Sequence, residues 1–189
     1  MRRSRFLACA LLASIAPVAW AARAPVPGDS VYQLDASLTD QDGRTTRWGD
    51  GSTGPRIVSM FFTNCDYACP LLFETIRLLE AALPHAERQA LSVGLVSLDP
   101  ARDTPATLKK KARQRGGDEA RWRLYRANEA DVRKLAAVLG IQYRRLASGD
   151  FSHSTALILL DAQGRVLART EKMARVDPVF LAAVRQAMA

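Results

Sequence analysis

The spacing of apolar positions changes several times along this chain, and each change marks an element. Arg56-Ile-Val-Ser-Met-Phe-Phe62 is almost continuously apolar and β-rich, which predicts a buried strand. Residues 91–98 predict a second one. Between them Leu72, Ile76, Leu79 and Leu83 recur at helical spacing, so residues 71–83 predict a helix with Pro70 in its first turn. Thr104 and Pro105 open another helix that ends near Gly116. Asn128 caps a helix carrying Val132, Leu135, Ala136 and Leu139, closed by Gly140. Residues 122–125 form a short segment without a clear period, and residues 141–146 read as extended. Residues 154–160 and 165–169 flank the turn Asp161-Ala-Gln-Gly164 and predict a hairpin. Asp177-Pro178 begins a terminal amphipathic helix. Nearer the N-terminus, residues 31–38 are expected to be extended, with residues 44–48 returning after the turn at 39–43.

Early strands separated by helices imply parallel pairing, and the late hairpin adds antiparallel strands. The expected fold class is α/β: a mixed central β-sheet flanked by helices, with an added N-terminal β-hairpin. Thioredoxin-like folds have this order of elements, and so do others.

The first residues follow a different logic. Met1-Arg-Arg-Ser-Arg5 is basic, residues 6–15 are apolar and uncharged, and Ala19-Trp20-Ala21 fits a signal-peptidase site. Residues 1–21 are therefore expected to be a signal peptide, or a retained anchor; residues 22–30 a linker; and residues 31–189 the folded domain. The apolar run is short for a membrane span, which needs about 20 residues. Cys9 precedes most of that run, which speaks against lipidation there. The expected location is the periplasm, with inner-membrane anchoring if the signal is retained, and no other route to the membrane.

Export changes how the charges and cysteines are read. Loss of Arg2, Arg3 and Arg5 with the signal lowers the formal charge from +8 to +5. Such basicity serves solubility, and no aromatic interleaving supports nucleic-acid binding. The cluster Lys109, Lys110, Lys111, Arg113 and Arg115 reads as a solvated helix face or a surface for an acidic partner. Cys65 and Cys69 are the cysteines left after residue 21. A disulfide between them would close a short loop and contribute little by chain entropy, which favours chemistry over stapling.

Cys65-Asp-Tyr-Ala-Cys69-Pro70 lies between a buried strand and a helix start, where free N–H groups and the helix dipole favour thiolate. Two thiols at this spacing suit one metal ion or a disulfide. Two Cys, His85 and His153 are too few for an iron–sulfur cluster and an awkward set for structural zinc; two Cys and one His suit copper better. His153, before the predicted strand at 154–160, is a ligand candidate or a surface residue. His85 follows Pro84 at a helix end and is read as structural or exposed. In Asp99-Pro-Ala-Arg-Asp103-Thr-Pro105, Asp99 or Asp103 can orient a ligand or hold Arg102; the other reading is a turn and helix cap.

These segments resemble a known family. Phe62-Thr-Asn-Cys-Asp-Tyr-Ala-Cys-Pro70 is similar to the C-x-x-x-C-P signature of the Sco/SenC proteins. Val96-Ser-Leu-Asp-Pro-Ala-Arg-Asp-Thr-Pro105 and His153-Ser-Thr-Ala-Leu-Ile-Leu-Leu-Asp-Ala-Gln-Gly164 resemble two further segments of that family, in the same order. The resemblance implies a thioredoxin-like fold and a copper ion, Cu(I) or Cu(II), bound by Cys65, Cys69 and His153. It also implies a metallochaperone that supplies copper during assembly of cytochrome c oxidase. The implied partners are an oxidase subunit or another copper acceptor, with a copper donor or thiol reductant upstream. A thiol–disulfide oxidoreductase using Cys65 and Cys69 as its redox pair is the competing reading. Asn64, Asp66 and Ser152 depart from residues common in the family (His, Pro and Asp) but remove no ligand.

Overall fold

The structure, a computed structural model, describes residues 26–188. The expected signal peptide at 1–21 and the first residues of the linker lie outside them. After a 3-10 turn at Val31–Gln33 come strands β1 (Ser37–Asp40), β2 (Thr45–Arg47) and β3 (Arg56–Phe61). Helices α1 (Ala68–Ala81) and α2 (His85–Ala90), strand β4 (Ser92–Ser97), helix α3 (Pro105–Gln114) and strand β5 (Trp122–Arg126) follow. Helix α4 (Glu129–Val138), strands β6 (Tyr143–Arg145), β7 (Phe151–His153), β8 (Leu157–Leu160) and β9 (Val166–Thr170), and helix α5 (Pro178–Gln186) complete the chain.

Seven strands form one sheet in the order β2-β1-β5-β4-β3-β8-β9. β3, β4 and β5 run parallel, β1–β2 is the N-terminal hairpin, and β8–β9 is the later one. This is the expected mixed sheet. Its centre is β3, buried at every residue, because strands covered on both faces must be apolar throughout. The pleat divides β3 between two cores: Ile57 and Phe61 face α1, α3 and α5, while Val58 and Met60 face α4 and the N-terminal segment.

The helix starts read from sequence are in place. Thr104, Asn128 and Asp177 each accept a first-turn N–H at the heads of α3, α4 and α5. Three expectations need correction. Residues 31–38 are not one extended run: Val31 and Tyr32 are buried in a 3-10 turn capped by Ser30, and pairing begins only at Ser37. His85 begins α2 rather than ending the preceding helix; α2 buries no residue, so it leaves no apolar stripe to read. The strand expected at 154–160 starts at Leu157, and His153 instead ends β7, which pairs with β6 in a separate two-stranded ribbon.

The end of the expected linker and the residue after it are tied down. Ser30 Oγ donates to the Gln163 carbonyl at 2.5 Å, and the Val31 N–H donates to the Gly164 carbonyl at 2.9 Å. Gly164 has φ +82°, and a Cβ there would lie 2.4 Å from the Tyr32 ring, so the turn between β8 and β9 can seat this segment only as glycine.

Candidate metal centre

Phe61 ends β3, and the chain turns before entering α1. The Cys65 N–H donates to the Phe62 carbonyl at 3.3 Å, closing that turn. Tyr67, at the N-cap position of α1, supplies no side-chain cap. Cys65 does so instead: its Sγ accepts the Cys69 N–H at 3.2 Å. A sulfur in a cap position takes up a free N–H and sits at the positive end of the helix, and both effects favour thiolate.

The two thiols are accordingly unlike. The hydrogen bond with the Cys69 side chain, opposed by burial and assisted by His153 and by backbone N–H groups, lowers Cys65 to about 4. That same bond and burial push the Cys69 thiol up. The pair therefore keeps one proton, on Cys69, which donates toward the Cys65 thiolate. Both residues are buried, at 8% and 3% exposure, so the sulfurs lie beneath the surface. Tyr67, between them in sequence, is 83% exposed.

His153 arrives from the ribbon. Its Nε2 lies 3.9 Å from Cys69 Sγ, and its Nδ1 lies 3.1 Å from the Ser154 carbonyl. A carbonyl only accepts, so Nδ1 donates to Ser154 and the Nε2 edge of the ring faces the thiols. The Phe62 ring packs edge-on against both Phe151 and His153 and seats the ribbon on the cysteine loop. The two sulfurs and one ring nitrogen all lie within 4.8 Å of one another. Two soft sulfurs and an imidazole are a donor set that fits copper, Cu(I) best of all.

The Asp99–Pro105 segment braces this cluster from below. Asp103 is 1% exposed and accepts from the Thr63 N–H at 3.1 Å, from the Thr63 hydroxyl, and from the Ser97 hydroxyl at 2.5 Å. It thereby ties the cysteine loop to the end of β4. Asp99 holds Arg102 in an ion pair, and Arg102 donates on to the Gly149 carbonyl at 3.0 Å and to Asp150 at 3.4 Å. Asn64 donates to the same Asp150 carboxylate at 3.3 Å. Both carboxylates thus do more than make a turn: Asp103 fixes the arm bearing the cysteines, and Asp99 works through Arg102 on the arm bearing His153.

The structure places Cys65, Cys69 and His153, which the family resemblance had named together, next to one another. Sequence reasoning missed Thr63, Ser97 and Asp150 as braces, and it treated Asn64 only as a departure. The signal for Thr63 and Ser97 was the nearby buried acid, but the pairing across the sheet end is not visible in one dimension. His85 is exposed and takes no part in the cluster.

A thioredoxin-like sheet with two thiols at the start of its first long helix and a histidine brought over them defines a class of thiol and metal-handling proteins. Within it, the chain belongs to the SCO1/SenC family, whose sequence model matches residues 27–189. A protein of Stutzerimonas stutzeri, named provisionally as copper-binding, is 29% identical over 127 residues, covering 61% of this chain and 57% of that protein. The chain thus spans little more than half the length of that curated relative. Among solved structures, a SCO1/SenC family lipoprotein from Bacillus anthracis superposes with a TM-score of 0.74 at 20% identity, over 82% of this chain and 94% of that one. ScoI of Arabidopsis thaliana with copper bound gives 0.70 at 16% identity, over 81% and 98%. BsSco, described as a member of the Sco family of cytochrome c oxidase assembly proteins with a disulfide switch, gives 0.66 at 20% identity, over 82% and 95%.

Proposed function

We propose that this protein takes up a copper ion as cargo through Cys65 Sγ, Cys69 Sγ and His153 Nε2 and passes it to an acceptor protein during assembly of cytochrome c oxidase. One observation carries the reading: three donors from two distant parts of the chain meet within 4.8 Å. Copper contributes the affinity for soft sulfur, and the chain contributes the arrangement of donors. Cys65 is already deprotonated, so uptake needs the loss of one proton, from Cys69. A ligand on a small ribbon is well suited to release first when an acceptor cysteine or histidine approaches. The exposed Tyr67 beside the thiols suits such a contact.

Export fits the same reading. Residues 1–21 carry the basic and apolar pattern of a signal peptide, residues 22–30 lead into the domain, and the acceptor would be met in the periplasm or at the inner membrane. No helix among the described residues is long and apolar enough to cross a membrane.

The Cys65 thiolate also favours a second reading, as a thiol–disulfide oxidoreductase acting on copper-site cysteines. Cys65 would attack a substrate disulfide, and Cys69, once deprotonated, would displace the reduced substrate and leave a Cys65–Cys69 disulfide.

Anaerobic titration of the reduced full chain with Cu(I) against a competing chelator, beside His153→Ala, separates the two. One tightly held copper per chain that depends on His153 supports the chaperone. Absence of competitive binding with both thiols reduced overturns it and leaves catalytic disulfide turnover as the activity to measure.

A further inference from the structure

At the other end of the central strands, away from the thiols, lies a second site of a different chemical kind. Arg56 begins β3, and the strand's other end at Phe61, about 17 Å away at strand rise, leads on to Cys65. Around Arg56 opens a cleft of about 400 Å³. Arg56, Arg123 and Tyr125 line it from one face of the sheet, Ser92 from the adjoining strand, and Arg44 from the loop before β2.

The strand register explains how these side chains meet. Arg56 pairs with Ser92, and Gly94 pairs with Val58 on one side and Arg123 on the other. A Cβ on Gly94 would lie 3.4 Å from Arg56 Cδ and 3.6 Å from the Tyr125 ring. Glycine there lets the arginine and the tyrosine lean together over β4.

The polar accounting at this place is incomplete. Arg56 is 9% exposed, yet its guanidinium makes one hydrogen bond, from Nε to Ser92 Oγ at 3.2 Å, and no ion pair among the described residues. Tyr125 is 8% exposed, and its hydroxyl has no hydrogen-bond partner among them. No fully enclosed side-chain nitrogen or oxygen of the described residues lacks a partner. The free Arg56 nitrogens and the Tyr125 hydroxyl therefore reach open space, and the space they line is this cleft. An arginine that is 9% exposed and has no paired carboxylate presents its free guanidinium edge to the cleft, where an anion would meet it.

The acidic residues at this cleft have partners of their own. Arg123 Nε lies 4.0 Å from Asp40, which also accepts the Asp42 and Arg44 backbone N–H groups. Asp50 lies at the rim and accepts the Arg47 N–H. Arg121, though it borders the cleft, is held by Glu80 and Asp118.

We propose that this cleft binds a small anionic ligand presenting a phosphate or carboxylate group, held by Arg56, Arg123 and the Tyr125 hydroxyl. The guanidinium fork matches two oxygens of either group, and the phenol supplies a third donor. The site is separate from the metal centre and needs neither thiol nor His153.

The test is an amide NMR titration of the full chain with inorganic phosphate and, in parallel, malonate, at constant ionic strength. Saturable shifts confined to the β3, β4 and β5 ends around Arg56, Ser92 and Arg123 are expected with one or both probes. Which probe saturates identifies the anion class. Arg56→Gln should weaken binding about tenfold or more, and Tyr125→Phe by several fold, as expected for hydrogen bonds to a charged group. Cys65→Ser should leave it unchanged, and Arg56→Gln should leave copper uptake unchanged. If Arg56→Gln does not fold, Tyr125→Phe and Arg123→Gln carry the comparison. Shifts that never saturate with either probe, or that persist equally in these variants, overturn the proposal.

Discussion

The backbone N–H of Cys69 donates to Cys65 Sγ at 3.2 Å, so one cysteine caps the helix that carries the other. This sets how the reduced protein responds to pH. Cys65 is lowered to about 4, far below a free thiol, so the folded state binds fewer protons than the unfolded state from there up to the ordinary thiol range. Its contribution to stability is full above the unfolded thiol pKa and is lost as pH falls through about 4. Cys69, pushed up, acts in the opposite sense and costs stability only above the ordinary thiol range. Ultraviolet thiolate absorbance of the reduced chain should report one thiolate at neutral pH, absent in Cys65→Ser. The stability advantage over Cys65→Ser should grow from about pH 5 to about pH 8. An advantage flat across that range would contradict the capping role.

Asp103→Asn removes a buried carboxylate that gathers three donors and puts an amide among them. Chemical denaturation should show a loss of about 2 kcal/mol. Copper affinity should fall as well, although no ligand is touched, because Thr63 no longer fixes the cysteine loop.

Arg102→Ala acts on the other arm. The side chain is 41% exposed, so its ion pairs contribute less than about 1 kcal/mol to global stability. Copper affinity should nevertheless drop about tenfold, the scale on which supports behind a ligand act. An unaltered chelator competition curve would remove Arg102 from the positioning of His153.

Gly164→Ala places a methyl 2.4 Å from the Tyr32 ring at φ +82°. The expected cost is about 2 kcal/mol or more, read as a lower thermal midpoint, with copper binding retained by the folded fraction.

Much of the fold was legible because its central elements obey simple periods. The continuous apolar run at Arg56–Phe61 could only be a strand covered on both faces, and the Leu72, Ile76 and Leu79 stripe could only be a helix laid on it. Caps at Thr104 and Asn128, and the helix start at Asp177-Pro178, were legible because capping is a local hydrogen bond. What escaped was short or exposed. Helix α2 buries nothing, and the Val31–Gln33 turn is specified by its seat beneath Gly164, far away in sequence. Strand β6 lies within the stretch at 141–146 read as extended, but its partner β7 has only three residues, too few for a period, so their pairing was not legible. At the candidate centre the donor atoms could be named in advance, whereas the Asp150 bridge from Asn64 to Arg102 required three segments to be placed in space.

The separation of β6 and β7 from the main sheet has a mechanical consequence. The cysteine arm hangs from a strand buried at every residue, so freeing it requires something close to global unfolding. The histidine arm belongs to a ladder of three residue pairs with exposed and half-buried side chains. It can breathe at a small fraction of that free energy. Amide hydrogen exchange should therefore rank the two arms far apart, with Tyr143–Arg145 and Phe151–His153 exchanging early and Arg56–Phe61 last. The jaw of this site is compliant on one side only.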